Sequence, residues 1–254
     1  MKRRLNEIAC VFRIHLARLR VEAGPFLLAA IAFPAGMYLF AAAIGDVGSA
    51  GIADTDHRLR FLSASVVFSL SLTAISWLGY LLLENRFTGR LKLFATLPLA
   101  PSSYVLGILI FALAQAAIGT SSLLVVARVL GVRTGLMTPV GLLVLAALVV
   151  LAMLAVSGVA VIVAARARSF SEGSLLTDAL GAGLVLLAPI YYPPEAAPRA
   201  LRVFAGMLPT TYAARGVQVT LTGGTHVARE LLVLALMAAV TLTVAFRVMR
   251  LSEE

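Results

Sequence analysis

The sequence predicts an all-α integral membrane protein with six transmembrane helices. Of its 254 residues, 61 % are hydrophobic and only 13 % are charged, and the mean hydropathy is +0.99. Soluble domains contain about 45–50 % apolar and about 25 % charged residues. Too little polar surface therefore remains to cover a water-soluble globule. The same composition excludes a disordered chain, because disorder requires few apolar residues.

The chain begins with a basic amphipathic helix over Leu5–Arg20. Such a helix beside a membrane span is typical of one that lies in the plane of the interface, and an ordinary solvated extension of the first span is the alternative. Gly24 and Pro25 separate it from that span, so residues 1–24 form an interfacial unit. Its apolar residues recur every three or four positions, at Leu5, Ile8, Phe12, Leu16 and Leu19.

Six apolar segments follow, each near the roughly 20 residues that a helix needs to cross a ~30 Å hydrocarbon core. They are Pro25–Ile44, Phe61–Leu83, Tyr104–Ala127, Pro139–Ala165, Leu175–Ile190 and Leu231–Phe246. Their apolar residues occupy every face, unlike the alternating pattern of a barrel strand. We therefore predict one transmembrane domain, with five spans in 25–190 and the sixth span and tail in 231–254.

The distribution of positive charge orients these spans. The net charge is +9, and 13 of the 21 Lys and Arg residues lie in the segments on the side of the termini, against eight on the other side. Because cytosolic segments carry the basic excess, we expect a multi-pass protein of the cell membrane (the bacterial inner or plasma membrane) with both termini in the cytosol. Basic residues at the ends of apolar runs favour contact with anionic lipid headgroups over binding to nucleic acid.

The cytosolic connection Glu84–Ser103 mixes charged residues with apolar ones such as Leu93 and Phe94, and it stops at Pro98 and Pro101. This pattern predicts a short amphipathic helix across the inner membrane face, ended by the prolines. A plain connecting loop is the alternative.

The longest outer segment, Tyr191–Glu230, is rich in proline yet apolar over Leu201–Leu208. Non-helical backbone at membrane depth must be covered by protein or must line a cavity. We therefore predict an outer re-entrant segment of short helices between spans five and six. A surface loop that caps the bundle is the alternative.

Polar side chains are rare within the spans. Asp178 lies near the start of the fifth span, where a carboxylate is a functional candidate but is also favoured by the helix dipole. Ser65, Ser69 and Thr73 share one face of the second span. These hydroxyls could line a translocation path or form hydrogen bonds between helices.

The motifs of enzymes are missing from the sequence. It contains no nucleophile elbow, no zinc-binding motif and no cysteine cluster, and its three histidines lie outside the predicted spans. We therefore predict neither a catalytic nor a metal site. A phosphate-binding loop is also missing, so any ATP-driven action requires an ATPase on another chain. The alternative is a secondary transporter with Asp178 as its proton or ion site, although this class predicts more buried charge and often repeat symmetry.

The order of these parts resembles the membrane subunit of ABC-2-type transporters, a permease class that includes drug, antibiotic and polysaccharide exporters. The resemblance covers nearly the whole chain, although no motif identifies the cargo. After the basic helix it is carried by Glu84, Thr88-Gly89-Arg90-Leu91, Leu97-Pro98-Leu99-Ala100-Pro101, Tyr192-Pro193 with Pro198, and Leu208-Pro209-Thr210-Thr211-Tyr212.

The resemblance implies that the segment matching Glu84–Ala100 is a coupling helix that docks on a separate ATP-binding subunit. The residues expected to carry this coupling are Glu84, Arg86, Thr88, Gly89, Arg90, Leu93, Phe94 and Pro98. The outer segment would form re-entrant helices over the substrate path, with Tyr192, Pro193, Pro198, Pro209 and Tyr212 as their marker residues.

The same resemblance implies an assembly of two permeases, identical or related, with two ATP-binding subunits that bind ATP and Mg. This chain itself would bind no cofactor. Because the spans hold many apolar and few charged residues, we expect a lipophilic or amphipathic cargo, such as a drug, an antibiotic or a lipid-like molecule. The prediction is an exporter of the multidrug-efflux kind.

Overall fold

The computed structural model describes residues 2–20, 23–48, 55–96, 99–136, 138–188 and 198–248. Nearly all of this part of the chain is helical, and none of its residues forms a β-strand, which confirms the predicted all-α class. In chain order the helices are α1 (Lys2–Arg18), α2 (23–48), α3 (55–87), α4 (Arg90–Thr96), α5 (Pro101–Val129), α6 (Pro139–Arg166), α7 (Phe170–Leu186), α8 (Arg199–Ala205), α9 (Pro209–Leu221) and α10 (Ala228–Val248).

Four of these helices are long and apolar enough to cross a membrane, namely α3, α5, α6 and α10. They correspond to the predicted spans two, three, four and six. Helix α2 contains a shorter apolar stretch, Leu28–Ala43, and α7 has 17 residues. Helices thus occupy the places of predicted spans one and five, and the crossing of the membrane by these two stays a prediction.

Helix α7 begins at Phe170, five positions before the predicted start of span five at Leu175. The Ser169 hydroxyl accepts a 3.1 Å hydrogen bond from the N–H of Glu172, and the Glu172 carboxylate accepts one of 2.8 Å from the N–H of Arg168. Backbone donors at a helix start lack intrahelical partners, and these two side chains supply them. Polar caps therefore extend the helix beyond its apolar run.

Helix α6 lies at the centre of the bundle and packs on α3, α9 and α10. Its Gly158 allows α6 and α10 to approach each other closely, because a Cβ at that position would lie 2.6 Å from the Cβ of Thr241 on α10. Small residues let helix backbones approach within a membrane. Any larger residue at Gly158 would force α6 and α10 apart.

Helix α1 runs alongside the first turns of α5 and in the same direction. Glu7 contacts the residues at the start of α5, Val11 packs on Gly107, and His15 lies near Phe111. The buried face of α1 therefore contains Val11 and His15. It is rotated about the helix axis relative to the apolar face that the sequence predicts. Of the predicted apolar residues, Leu5 and Leu16 are exposed. The reason is tertiary, because the close approach at Gly107 accepts a branched side chain at position 11.

Hydrogen bonds between the ends of helices show which connections lie at the same end of the bundle. At one end, α1 is bonded to the α4–α5 connection, and the end of α3 is bonded to the end of α6. At the other end, the N–H of Gly135 donates a 2.7 Å bond to the carbonyl of Leu221. The alternation of the segments between the two sides of a membrane stays a prediction. Which end faces the cytosol stays a prediction.

Candidate functional site

The turn between α3 and α4 depends on the carbonyl of Glu84. The N–H and the hydroxyl of Thr88 both donate to this oxygen, at 2.9 and 2.6 Å, and they end α3. Gly89 then adopts φ +77°, a conformation that disfavours side chains, and reverses the chain into α4. The Glu84 carboxylate accepts a 2.9 Å bond from Arg90 at the start of α4. These four predicted coupling residues therefore fix the orientation of α4 on α3.

The amphipathic helix predicted over Glu84–Ser103 is shorter than its pattern indicates. Helix α3 continues to Phe87, so Glu84 and Arg86 lie in its last turn, and α4 covers only Arg90–Thr96. The reason is local, because Thr88 and Gly89 form the turn described above. Leu93 lies on α4, and Pro98 lies outside the described residues.

Arg86 ties the end of α3 to the end of α6. Its Nη1 donates to the carbonyls of Ala164 and Ala167 at 2.8 and 2.9 Å. The last carbonyls of a helix have no partner within the helix, and positive charge is favourable there. The guanidinium thus caps α6 from another helix, which couples any displacement of α3 to α6.

Near this turn, a buried contact joins α3, α4 and α5. The Asn85 amide, 3 % exposed, donates a 2.9 Å bond to the hydroxyl of Tyr104, whose ring centroid lies 5.1 Å from that of Phe94. Phe94 therefore packs toward the bundle, whereas Lys92 and Thr96 on α4 are exposed. Sequence reasoning missed Asn85 and Tyr104, although an amide at the end of an apolar run was an available signal.

Glu7 joins α1 to the same region. Its carboxylate accepts a 3.2 Å bond from the N–H of Ala100 and pairs with Arg3 at 3.1 Å. Hydrogen bonds from the Ser103 hydroxyl and the Ala100 N–H hold the pKa of Glu7 below its usual value of 4.5. Sequence reasoning missed this residue as well, because nothing local indicates a contact 93 positions away.

The predicted hydroxyl row on α3 lies inside the bundle. Ser65, Ser69 and Thr73 are at most 3 % exposed. The Ser69 hydroxyl approaches α5 closely, 2.9 Å from where a Cβ of Gly119 would stand. No hydrogen-bond partner for the Ser65 hydroxyl is found among the described residues. The structure thus places this row between helices of one chain.

Gln115 lies opposite this row. The ring contact between Trp77 and Phe111 and the contact between Ser69 and Gly119 set the register of α3 on α5, so Gln115 faces the level of Thr73. Its side chain is 1 % exposed, and neither amide atom has a hydrogen-bond partner in the described part of the chain. Sequence reasoning missed Gln115, because a single glutamine in an apolar run does not reveal whether it is paired.

The Tyr80 hydroxyl donates a 2.5 Å hydrogen bond to the Asp178 carboxylate, which joins α3 to α7. One residue earlier on each helix, Gly79 approaches Thr177, whose Cγ2 lies 2.8 Å from where a Cβ would stand. Asp178 itself is exposed on α7. The two helices are therefore in tight contact, with an acidic group at the edge of the contact.

The outer segment contains two short helices, α8 and α9. Three side-chain hydrogen bonds secure α9: Thr210 donates to the carbonyl of Leu184, Thr211 to that of Ala205 and Tyr212 to that of Gly206. Pro198 directly precedes α8, and Pro209 is the first residue of α9. Tyr192 and Pro193 lie outside the described residues. The re-entrant course of the segment stays a prediction.

A sequence model of the ABC-2 type transporter family matches residues 8–222, which is more than half of the chain. The chain therefore belongs to the ABC-2 type transporter family. The family implies the membrane permease subunit of an ABC transporter, a class that generally works with an ATP-binding subunit. No curated protein matches the sequence.

Proposed function

We propose, from this membership, that the chain is the permease of an ATP-driven exporter for lipophilic or amphipathic small molecules. Two permeases, this chain with a second copy or a related chain, would form the path, and two ATP-binding subunits would hold ATP and Mg. The assembly would lie in the cell membrane, with both termini of this chain in the cytosol.

The observation that carries the proposal is the rigid attachment of α4 to α3 and α5 and, through α3, to α6. The Glu84–Arg90 pair and the Gly89 turn fix α4 on α3, the contact of Phe94 with Tyr104 fixes it on α5, and Arg86 extends the connection to α6. A partner that moves α4 would therefore move the helices that line a path. Lys92 is exposed on α4, and we infer that the surface around it contacts the partner.

The proposed path runs beside α7. This helix exposes Leu175, Leu176 and Leu180 together with Asp178. A carboxylate is costly when it faces lipid, so we infer that this face of α7 lines the path or contacts the second permease. An apolar surface with one acidic group suits an amphipathic cargo that carries a positive charge.

Co-expression with an ABC-type ATP-binding chain from the same genome tests the proposal. We expect the wild-type permease to retain that chain on purification and to stimulate its ATP hydrolysis in reconstituted membranes. Lys92→Glu should reduce both, because it reverses a charge on the exposed surface of α4. The matched control is Arg133→Glu, an exposed arginine at the other end of the bundle. Equal behaviour of the two variants would contradict the coupling role of α4.

A secondary transporter is the second candidate function, and the Tyr80–Asp178 hydrogen bond favours it. Asp178 would be its proton or ion site, since this bond places a carboxylate beside a second polar group where α3 and α7 meet. This candidate predicts uptake or export driven by a pH gradient in vesicles that contain the permease alone. The exporter predicts no transport without the ATP-binding chain.

A further inference from the structure

A cavity of about 520 Å³ opens at the end of the bundle where α1, α5 and α10 meet. Arg4 and Ile8 of α1, Ser102 and Ser103 at the start of α5, and Phe246 near the end of α10 contribute to its walls. The volume falls within the range of small-molecule sites, about 300–1,000 Å³. The proposed transport function does not use this cavity.

The charge at the cavity is positive and unbalanced. Arg4 is exposed and forms no salt bridge with any described residue. The acidic group nearby is Glu7, which is already engaged by Arg3 and by the N–H of Ala100. Arg4 therefore remains available for an anion, and the Ser102 hydroxyl beside it can donate a hydrogen bond.

The apolar walls contributed by α5 and α10 belong to helices long enough to span the membrane. Leu106, one turn into α5, and Phe246 on α10 are exposed hydrophobic residues that line the cavity. A soluble anion gains nothing from such walls, whereas an acyl chain does. A ligand with an anionic head and an apolar chain satisfies both parts of the cavity.

We propose that this cavity binds one anionic phospholipid, with the phosphate group at Arg4 and Ser102 and an acyl chain along Leu106 and Phe246. The lipid would bridge α1, α5 and α10, and so would attach the N-terminal helix to the last span. The proposal requires a membrane location but neither the ATP-binding partner nor transport, so it fails or holds independently of the exporter.

Native mass spectrometry of the purified full chain, with phosphatidylglycerol or phosphatidylcholine added, tests the proposal. We expect one phosphatidylglycerol retained per chain and little phosphatidylcholine. Arg4→Gln should weaken retention by about fivefold, the effect of one basic residue near anionic headgroups. The matched control is Arg13→Gln, which removes another exposed arginine of α1 that does not line the cavity, and it should alter retention less than twofold.

A second variant and a competitor keep the test decisive if Arg4→Gln fails to assemble. Leu106→Trp should fill the cavity and abolish specific retention. Equal retention of both lipids, or equal loss in the Arg4 and Arg13 variants, would overturn the proposal. Displacement of the lipid by millimolar glycerol phosphate would also overturn it, because that result assigns the site to a soluble anion.

Discussion

Tyr80 on α3 and Asp178 on α7 are joined by a 2.5 Å hydrogen bond in which the phenol donates to the carboxylate. The two residues are 98 positions apart, and the bond lies beside the close approach of Gly79 to Thr177. This bond links Asp178, a predicted path residue on α7, to the helix that carries the coupling turn.

Substitution at this pair separates the role of the charge from that of the contact. Tyr80→Phe should lower the free energy of unfolding by about 1 kcal/mol, the usual contribution of one hydrogen bond. Asp178→Asn should keep most of that stability, because the amide oxygen still accepts from Tyr80. If Asp178→Asn also transports at the wild-type rate, the charge of Asp178 has no function. Thermal unfolding and transport in reconstituted vesicles measure the two effects.

Arg86 should be the most sensitive of the coupling residues. Arg86→Ala removes the cap on Ala164 and Ala167 and leaves both carbonyls without that donor, so we expect a loss of about 2–3 kcal/mol in stability. Partner-stimulated ATP hydrolysis should fall with it. The control is Arg90→Ala, which breaks the partly exposed pair with Glu84 and should cost less than about 1 kcal/mol. A smaller effect at Arg86 than at Arg90 would contradict the proposed cap.

Asn85 and Gln115, two buried side-chain amides, should respond in opposite directions to apolar replacement. Gln115→Met removes polar atoms that have no partner among the described residues, so we expect stability to rise by about 1–3 kcal/mol. Asn85→Leu breaks the bond to Tyr104 and should lower stability. Thermal unfolding in detergent measures both. A destabilised Gln115→Met would contradict the expectation that the amide lacks a partner in the folded chain.

Acid should loosen the attachment of α1. Since the pKa of Glu7 is lowered in the folded protein, its contribution to stability is present above pH 4.5 and is lost as the pH falls through the lower, folded pKa. Glu7→Gln should remove that part of the pH dependence. Unfolding temperatures of the two proteins at pH 3 to 6 provide the measurement, and parallel curves would show that Glu7 does not titrate with folding.

Cysteine labelling tests the re-entrant segment and the orientation together. In a Cys10→Ser background, His226→Cys should react with a membrane-impermeant thiol reagent applied from outside, and Lys92→Cys should not. The side chain of Val203 on α8 is 59 % exposed in the structure. If α8 dips into the lipid, the thiol of Val203→Cys should nevertheless label slowly. Labelling of Val203→Cys as fast as His226→Cys would favour the surface loop.

Most of the fold follows from local properties of the chain. Helices lie in the places of all six predicted spans, because an apolar run must satisfy its own backbone hydrogen bonds and does so as a helix. The short helices of the outer segment were also predicted, since prolines are tolerated in a first helical turn. The boundaries near Thr88 and Ser169 moved, because capping side chains outweigh the hydropathy of a window.

The sequence by itself determined the membrane class, the order of the parts and the family, because hydropathy, charge and motif order are properties of consecutive residues. Only the tertiary structure decided how the polar side chains are paired. Arg86 caps a helix 78 positions away, Glu7 bonds to Ala100, and the Gln115 amide has no partner among the described residues. Each outcome depends on the register of one helix on another, and that register is set by close approaches such as Val11 on Gly107.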